Sequence, residues 1–203
     1  MSKRVYISAD YDEYSGDRNV VNELNRWGSD SYHKVDFVDT AKVVSGSVCQ
    51  DEDCRICDLK AEFNRQINAS SVVIFVIGDK TSTRTAGSSC ERCTKEWYEC
   101  TCTPYKQNSK GSKYCKHITT HTPGISDDLG NINSLSYLRH EFEQSVRRGK
   151  YIIVLYNSKY KQGHWLPSYM SAYADQAMPF WSTNARGETV GNYQLIKKAL
   201  GYE

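Results

Sequence analysis

Two stretches of the chain, Val72–Ile77 and Tyr151–Tyr156, contain six residues each, and every one of them is apolar or aromatic. Six residues are far short of the roughly twenty that a membrane-spanning helix needs. The runs are rich in β-branched side chains, and they are closed by Gly78-Asp79 and Asn157-Ser158. That pattern marks strands buried on both faces. A strand with no polar side requires a covering layer above and below, and the standard solution is a parallel sheet between two layers of helix.

The remaining pattern agrees. Val5-Tyr6-Ile7-Ser8 is a short first strand running into the polar loop Ala9-Asp10-Tyr11-Asp12. Asp17 is placed to cap a helix in which Val20, Leu24 and Trp27 share one face. Val35–Val38 is expected as a second strand, ending at Asp39-Thr40. Leu59, Phe63 and Ile67 mark a second amphipathic helix, and Leu135, Leu138, Phe142 and Val146 a third that ends at Gly149. Ala177–Phe180 suits a short edge strand, where Pro179 is tolerated, and Leu195, Ile196 and Leu200 suit a last helix. The expected order is β-α-β-α-β-(insertion)-α-β-(α)-β-α, a single domain over 1–203 with a parallel sheet and helices on both faces.

The regular pattern lapses between about 82 and 134. This stretch holds Cys90, Cys93, Cys100, Cys102 and Cys115 with few aliphatic residues. A structureless loop of that length is improbable inside a domain, so it is expected to be an insertion with its own stabilising device. Met1–Val5 has a basic start without an apolar core, so no secretion signal is expected. A cytoplasmic protein follows, with no membrane segment and with its eight cysteines reduced or metal-bound rather than paired in disulfides. Cys54, Cys57, Cys90 and Cys93 form two C-x2-C pairs, and Cys100, Cys102, Cys115, His117 and His121 form a second set. Either suits a structural zinc, although the spacings are irregular and free cysteines are common. Lys+Arg 26 against Asp+Glu 24 gives a net charge of +2, too little basic surplus for a dedicated nucleic-acid binder.

In open α/β sheets ligands bind beyond the carboxyl ends of the strands. Ser8, Asp10, Tyr11, Asp79, Thr81 and Asn157 are placed there as candidate substrate-binding residues. Each has a turn-closing alternative. The chain has no GxxxxGK[ST], GxGxxG or GxSxG motif, so a P-loop, a dinucleotide Rossmann site and a serine-hydrolase elbow have no support. What remains is Glu141 in Tyr137-Leu138-Arg139-His140-Glu141-Phe142. It is either a solvated helix charge beside a Glu143–Arg139 or Glu143–Arg147 pair, or a catalytic carboxylate near the strand tips.

Three segments carry a resemblance: Val5-Tyr6-Ile7-Ser8 with Asp10-Tyr11-Asp12 and Arg18; Val72–Ile77 with Gly78-Asp79-Lys80-Thr81; and Tyr137–Phe142 followed by Arg147-Arg148-Gly149-Lys150 and Tyr151–Tyr156. In this order they resemble TIR-like domains, most closely the TIR-like proteins of the bacterial Thoeris antiphage defence system. The likeness covers about 3–81 and 134–202; the cysteine-rich insertion lies outside it. The resemblance implies a flavodoxin-like fold and cleavage of the nicotinamide–ribose bond of NAD, with Glu141 as the catalytic glutamate. It further implies a cyclised ADP-ribose signal that activates a downstream effector, self-association, and a phage-derived trigger. The competing expectation is a non-catalytic TIR-like adaptor that assembles with itself or recognises a phage component. A third is another N-ribosyl or deoxyribosyl transferase, because fold alone does not determine chemistry.

Overall fold

Val73–Ile77 are fully shielded from solvent and Val72 nearly so, and this strand is the middle of the sheet. The computed structural model describes residues 3–10, 16–30, 36–39, 56–83, 106–107, 113–114 and 136–202. In chain order its elements are β1 (Arg4–Ala9), α1 (Asp17–Ser29), β2 (Asp36–Asp39), α2 (Ile56–Ala69), β3 (Val72–Ile77), the two-residue strands β4 (Lys106–Gln107) and β5 (Lys113–Tyr114), α3 (Tyr137–Arg147), β6 (Tyr151–Tyr156), β7 (Met178–Pro179), β8 (Trp181–Thr183), β9 (Thr189–Gly191) and α4 (Tyr193–Ala199). Five strands make one all-parallel sheet in the order β2-β1-β3-β6-β7. Counted within the sheet this is 2-1-3-4-5, the flavodoxin-like order of doubly wound α/β proteins. Among the described residues no helix is long and apolar enough to cross a membrane.

Alternation along the strands divides the core in two. Val5, Ile7, Val72, Ile74, Val76, Ile153 and Leu155 face α1 and α4, where Val20, Leu24, Trp27, Phe180 and Ile196 complete a cluster. Tyr6, Val73, Phe75, Ile77, Ile152, Val154 and Tyr156 face α2 and α3, meeting Phe63, Ile67, Leu138 and Phe142. Each strand therefore contributes to both cores, as its two-residue period requires. Lys150 ties the base together by donating to the carbonyls of Asn68 (3.0 Å) and Ser70 (2.7 Å) at the end of α2.

Several expectations shift. The second strand is Asp36–Asp39, one residue later than Val35–Val38. Asp17 does not cap α1 but is its first residue, buried; Gly16 takes the cap position in the left-handed region at φ 71°. Val146 is 50 % exposed, because Ser145 takes the inward position one turn after Phe142 and Leu138. Leu135 lies outside the described residues. The edge strand shrinks to Met178–Pro179, and 3-10 turns at Gly163–Trp165 and Ser168–Tyr173 replace the helix expected before it.

The antiparallel β8–β9 hairpin was not anticipated. Its signal is Asn184-Ala185-Arg186-Gly187. Asn184 Oδ1 accepts from the backbone N–H groups of Arg186 and Glu188 (both 2.9 Å), and Gly187 takes a positive φ. Of the expected insertion at about 82–134, the structure describes residues 82–83 and the β4–β5 pair.

Phe75 joins β3 to α3 through an edge-on contact with Phe142, centroids 5.4 Å apart. Replacing it with alanine removes a fully buried ring from the central strand. Phe75→Ala is expected to cost about 3–5 kcal/mol, read from the urea denaturation midpoint.

Candidate active site

Helix α3 begins at the carboxyl edge of the sheet. Ser136 caps it by accepting from Arg139 N–H at 3.0 Å. Leu138, Glu141, Phe142 and Ser145 follow at the i, i+3, i+4, i+7 spacing of a single helix face, and all four are buried. Glu141 is thus carried inward at a core position, with 1 % of its surface exposed. Its carboxylate accepts hydrogen bonds from the Tyr6 hydroxyl (2.9 Å) and the Ser8 hydroxyl. Tyr6 and Ser8 share one face of β1 because they are two residues apart. Glu143, by contrast, lies at the surface and pairs with Arg139 at 2.8 Å, an exposed contact worth a few tenths of a kcal/mol, ~0.3–0.5.

A buried carboxylate is costly unless hydrogen-bonded. Two hydroxyl donors offset part of that cost and hold the group in one orientation. The location is also the one that topology favours. In the order β2-β1-β3-β6-β7 the strand order reverses between β1 and β3, and it is beyond the carboxyl ends of such a switch point that doubly wound sheets bind their ligands.

The other candidates spread around this rim. Asp10 closes β1 and has one carboxylate oxygen enclosed. Thr81 is buried, and its hydroxyl accepts from Gly78 N–H at 2.9 Å, closing the turn after β3. Asp79 is exposed on that turn. Asn157 links two elements: its amide donates to Asp17 (3.0 Å), and its oxygen accepts from the Trp181 indole N–H (3.0 Å). Asp17 fits only because Gly78 has no side chain, since a Cβ there would come within 2.8 Å of the carboxylate. This Asp17–Asn157–Trp181 chain lies on the α1/α4 side, whereas Glu141 lies on the α2/α3 side. Arg18 is exposed, and Trp165 and Trp181 pack at the edges of the cores.

Tyr11, Cys54, Cys90 and Cys93 lie outside the described residues, as do Cys100, Cys102, Cys115, His117 and His121. Cys57 falls in the backbone of α2. Among the described residues no group of three His, Cys, Asp or Glu side chains is placed to hold a metal. Two cavities bounded by described residues, of about 510 and 410 Å³, lie beside Trp27, Trp181 and Tyr193 and beside Leu195, Lys198 and Tyr202. Neither includes Glu141. The segments continuing from β1 and from the turn after β3, residues 11–15 and 84–105, are outside the described residues.

Sequence reasoning missed Tyr6, Asp17, Ser136 and Tyr169. The first had a legible signal: Tyr6 and Ser8 alternate along one strand and must share its face. His140 is fully buried, and its Nε2 meets Asn64 Oδ1 at 3.1 Å across to α2. Tyr169 packs its ring on Phe142 with centroids 5.7 Å apart. Burial holds its phenol well above the usual tyrosine range; the charges of Asp10 and Glu143 add to this, and Ser136 and Arg139 oppose it.

No protein-family model matches the chain, and no curated protein matches it.

Burial also raises the Tyr156 phenol. Both tyrosines hold their protons in the fold after the unfolded chain has released them near pH 10. Stability is therefore expected to be unaffected by these groups below pH 10. Above it, stability should fall by up to about 1.4 kcal/mol per pH unit for each phenol still protonated. Urea midpoints between pH 9 and 11 measure this.

Proposed function

We propose that the chain is a TIR-like enzyme of bacterial antiphage defence. It breaks the nicotinamide–ribose bond of NAD and releases an ADP-ribose-type product, cyclised as a signal to a downstream effector or simply hydrolysed. The observation that carries this reading is the inward Glu141 carboxylate, set between the Tyr6 and Ser8 hydroxyls at the carboxyl edge of the sheet. A solvated helix charge would point the other way.

The chemistry asks little else of the protein. As the bond between ribose C1′ and the pyridine nitrogen breaks, its electron pair leaves with neutral nicotinamide and positive charge builds on the sugar. A fixed carboxylate stabilises that charge and can accept from the ribose hydroxyls. Water then supplies an oxygen to C1′ and loses a proton, or another nucleophilic atom of the same molecule closes a ring. A phage-derived trigger and self-association belong to the same proposal, because TIR-like enzymes commonly complete their sites on assembly. The zinc expected on Cys54, Cys57, Cys90 and Cys93 is a proposal too, read directly by native mass spectrometry of the purified chain.

The test is release of nicotinamide from NAD by the full chain, with and without phage lysate, with product mass separating cyclisation from hydrolysis. Glu141→Gln keeps the side chain's shape and an acceptor for one hydroxyl. It is expected to lower turnover by at least about 100-fold while the melting temperature stays close to that of the wild type. Equal turnover in the variant would remove Glu141 from the chemistry. No nicotinamide release under either condition would favour the non-catalytic adaptor instead.

A further inference from the structure

Tyr6 is fully buried in the middle of β1, yet it ends in a hydroxyl. Among the strand residues clustered with it on the α2/α3 side, Val73, Phe75, Ile77, Ile152 and Val154 carry no polar side-chain atom. A phenylalanine at position 6 would fill the ring's space without adding an oxygen that burial obliges the fold to satisfy. That oxygen is committed to Glu141. Tyr6 donates to Oε1 at 2.9 Å, whereas the Ser8 hydroxyl donates to Oε2.

Each carboxylate oxygen thus has its own donor, and the two donors differ in stiffness. A serine hydroxyl swings about one short torsion. The tyrosine oxygen stands at the end of a flat ring, and packing on every side fixes where it lies. The last torsion of a glutamate is broad and roughly two-fold, so a carboxylate held by one oxygen can still turn. A fixed donor on the second oxygen stops that rotation. With none of its surface exposed, Tyr6 acts on a substrate only through Glu141.

We propose that Tyr6 is a positioning residue for the reaction at Glu141, its hydroxyl fixing the plane of the carboxylate without touching the substrate. This rests on the proposed function and names the group that aims its catalytic side chain.

Tyr6→Phe deletes one oxygen and keeps the ring. The full chain carrying it is expected to fold and to melt somewhat below the wild type, because a buried carboxylate loses a donor. Its kcat for nicotinamide release from NAD, with phage lysate where the wild type needs it, should fall about 10- to 100-fold, the scale of a misplacement near 1 Å. KM should stay within about twofold, since binding of the substrate is untouched. Tyr156→Phe is the control. Tyr156 is buried in the same cluster with no hydrogen bond to Glu141 among the described residues, and its variant should keep the wild-type kcat. An unchanged kcat in Tyr6→Phe overturns the inference. So does a higher KM at constant kcat, which would mean contact with the substrate. Loss of the fold in Tyr6→Phe overturns it because the hydroxyl would then serve structure, and an equal fall in kcat in Tyr156→Phe because the effect would belong to the core at large. These results leave the Glu141 assignment standing. Wild-type turnover in Glu141→Gln, or a wild type that releases no nicotinamide, overturns the proposed reading of the site and this inference with it.

Discussion

A strand without a polar side chain cannot meet water on either face, and Val72–Ile77 at the middle of the sheet is such a strand. Everything else is arranged to cover it. Its flanking partners β1 and β6 are nearly as apolar, so both sheet faces must be roofed. Helices α1 and α4 roof one and α2 and α3 the other. Parallel pairing needs a long crossover between successive strands, and a crossover helix buries its apolar stripe while making that return. Backbone polar groups are satisfied along the strands and helices, which leaves polar chemistry to the strand ends.

Glu141 is the exception inside this scheme. It occupies a helix position where the pattern of Leu138, Phe142 and the inward Ser145 calls for an uncharged side chain. Two hydroxyls from β1 hold it there. A leucine in its place would fill the core without the desolvation cost of a carboxylate. A buried acid at the carboxyl edge of a doubly wound sheet therefore makes more sense as equipment for binding or chemistry than as packing. On the opposite face, Asp17, Asn157 and Trp181 form a second polar chain that joins α1, the tip of β6 and the start of β8. Its members are engaged with one another, and the bare Cα of Gly78 gives Asp17 its place. One network braces the rim, and the other presents a carboxylate to it.

Elements with strong periodicity were legible. β1, β3, β6 and the helices carrying Leu24, Phe63 and Phe142 lie where alternation or 3.6-residue spacing puts them. Failures occurred where local signals compete. Val146 has the right spacing from Phe142, but the helix is ending there and Ser145 takes the inward place. Asp17 has a capping side chain, yet Gly16 supplies the left-handed residue and frees Asp17 to reach Asn157. Segment Trp181–Gly191 is too short and mixed to announce a hairpin, although Asn184 and Gly187 mark its turn.

The sequence by itself determined the layered parallel α/β class, because two wholly apolar strands admit no other solvation than burial between helices. It also named Glu141, but only as one of two choices, solvated or inward. Helix periodicity places a residue on a face within about a third of a turn, and at 141 that margin spans the boundary between core and water. The tertiary structure decided the matter by bringing Tyr6 and Ser8, more than 130 positions away along the chain, to within hydrogen-bonding reach of the carboxylate. Contacts across such separations depend on how β1 packs under α3, and no local pattern of residues encodes that.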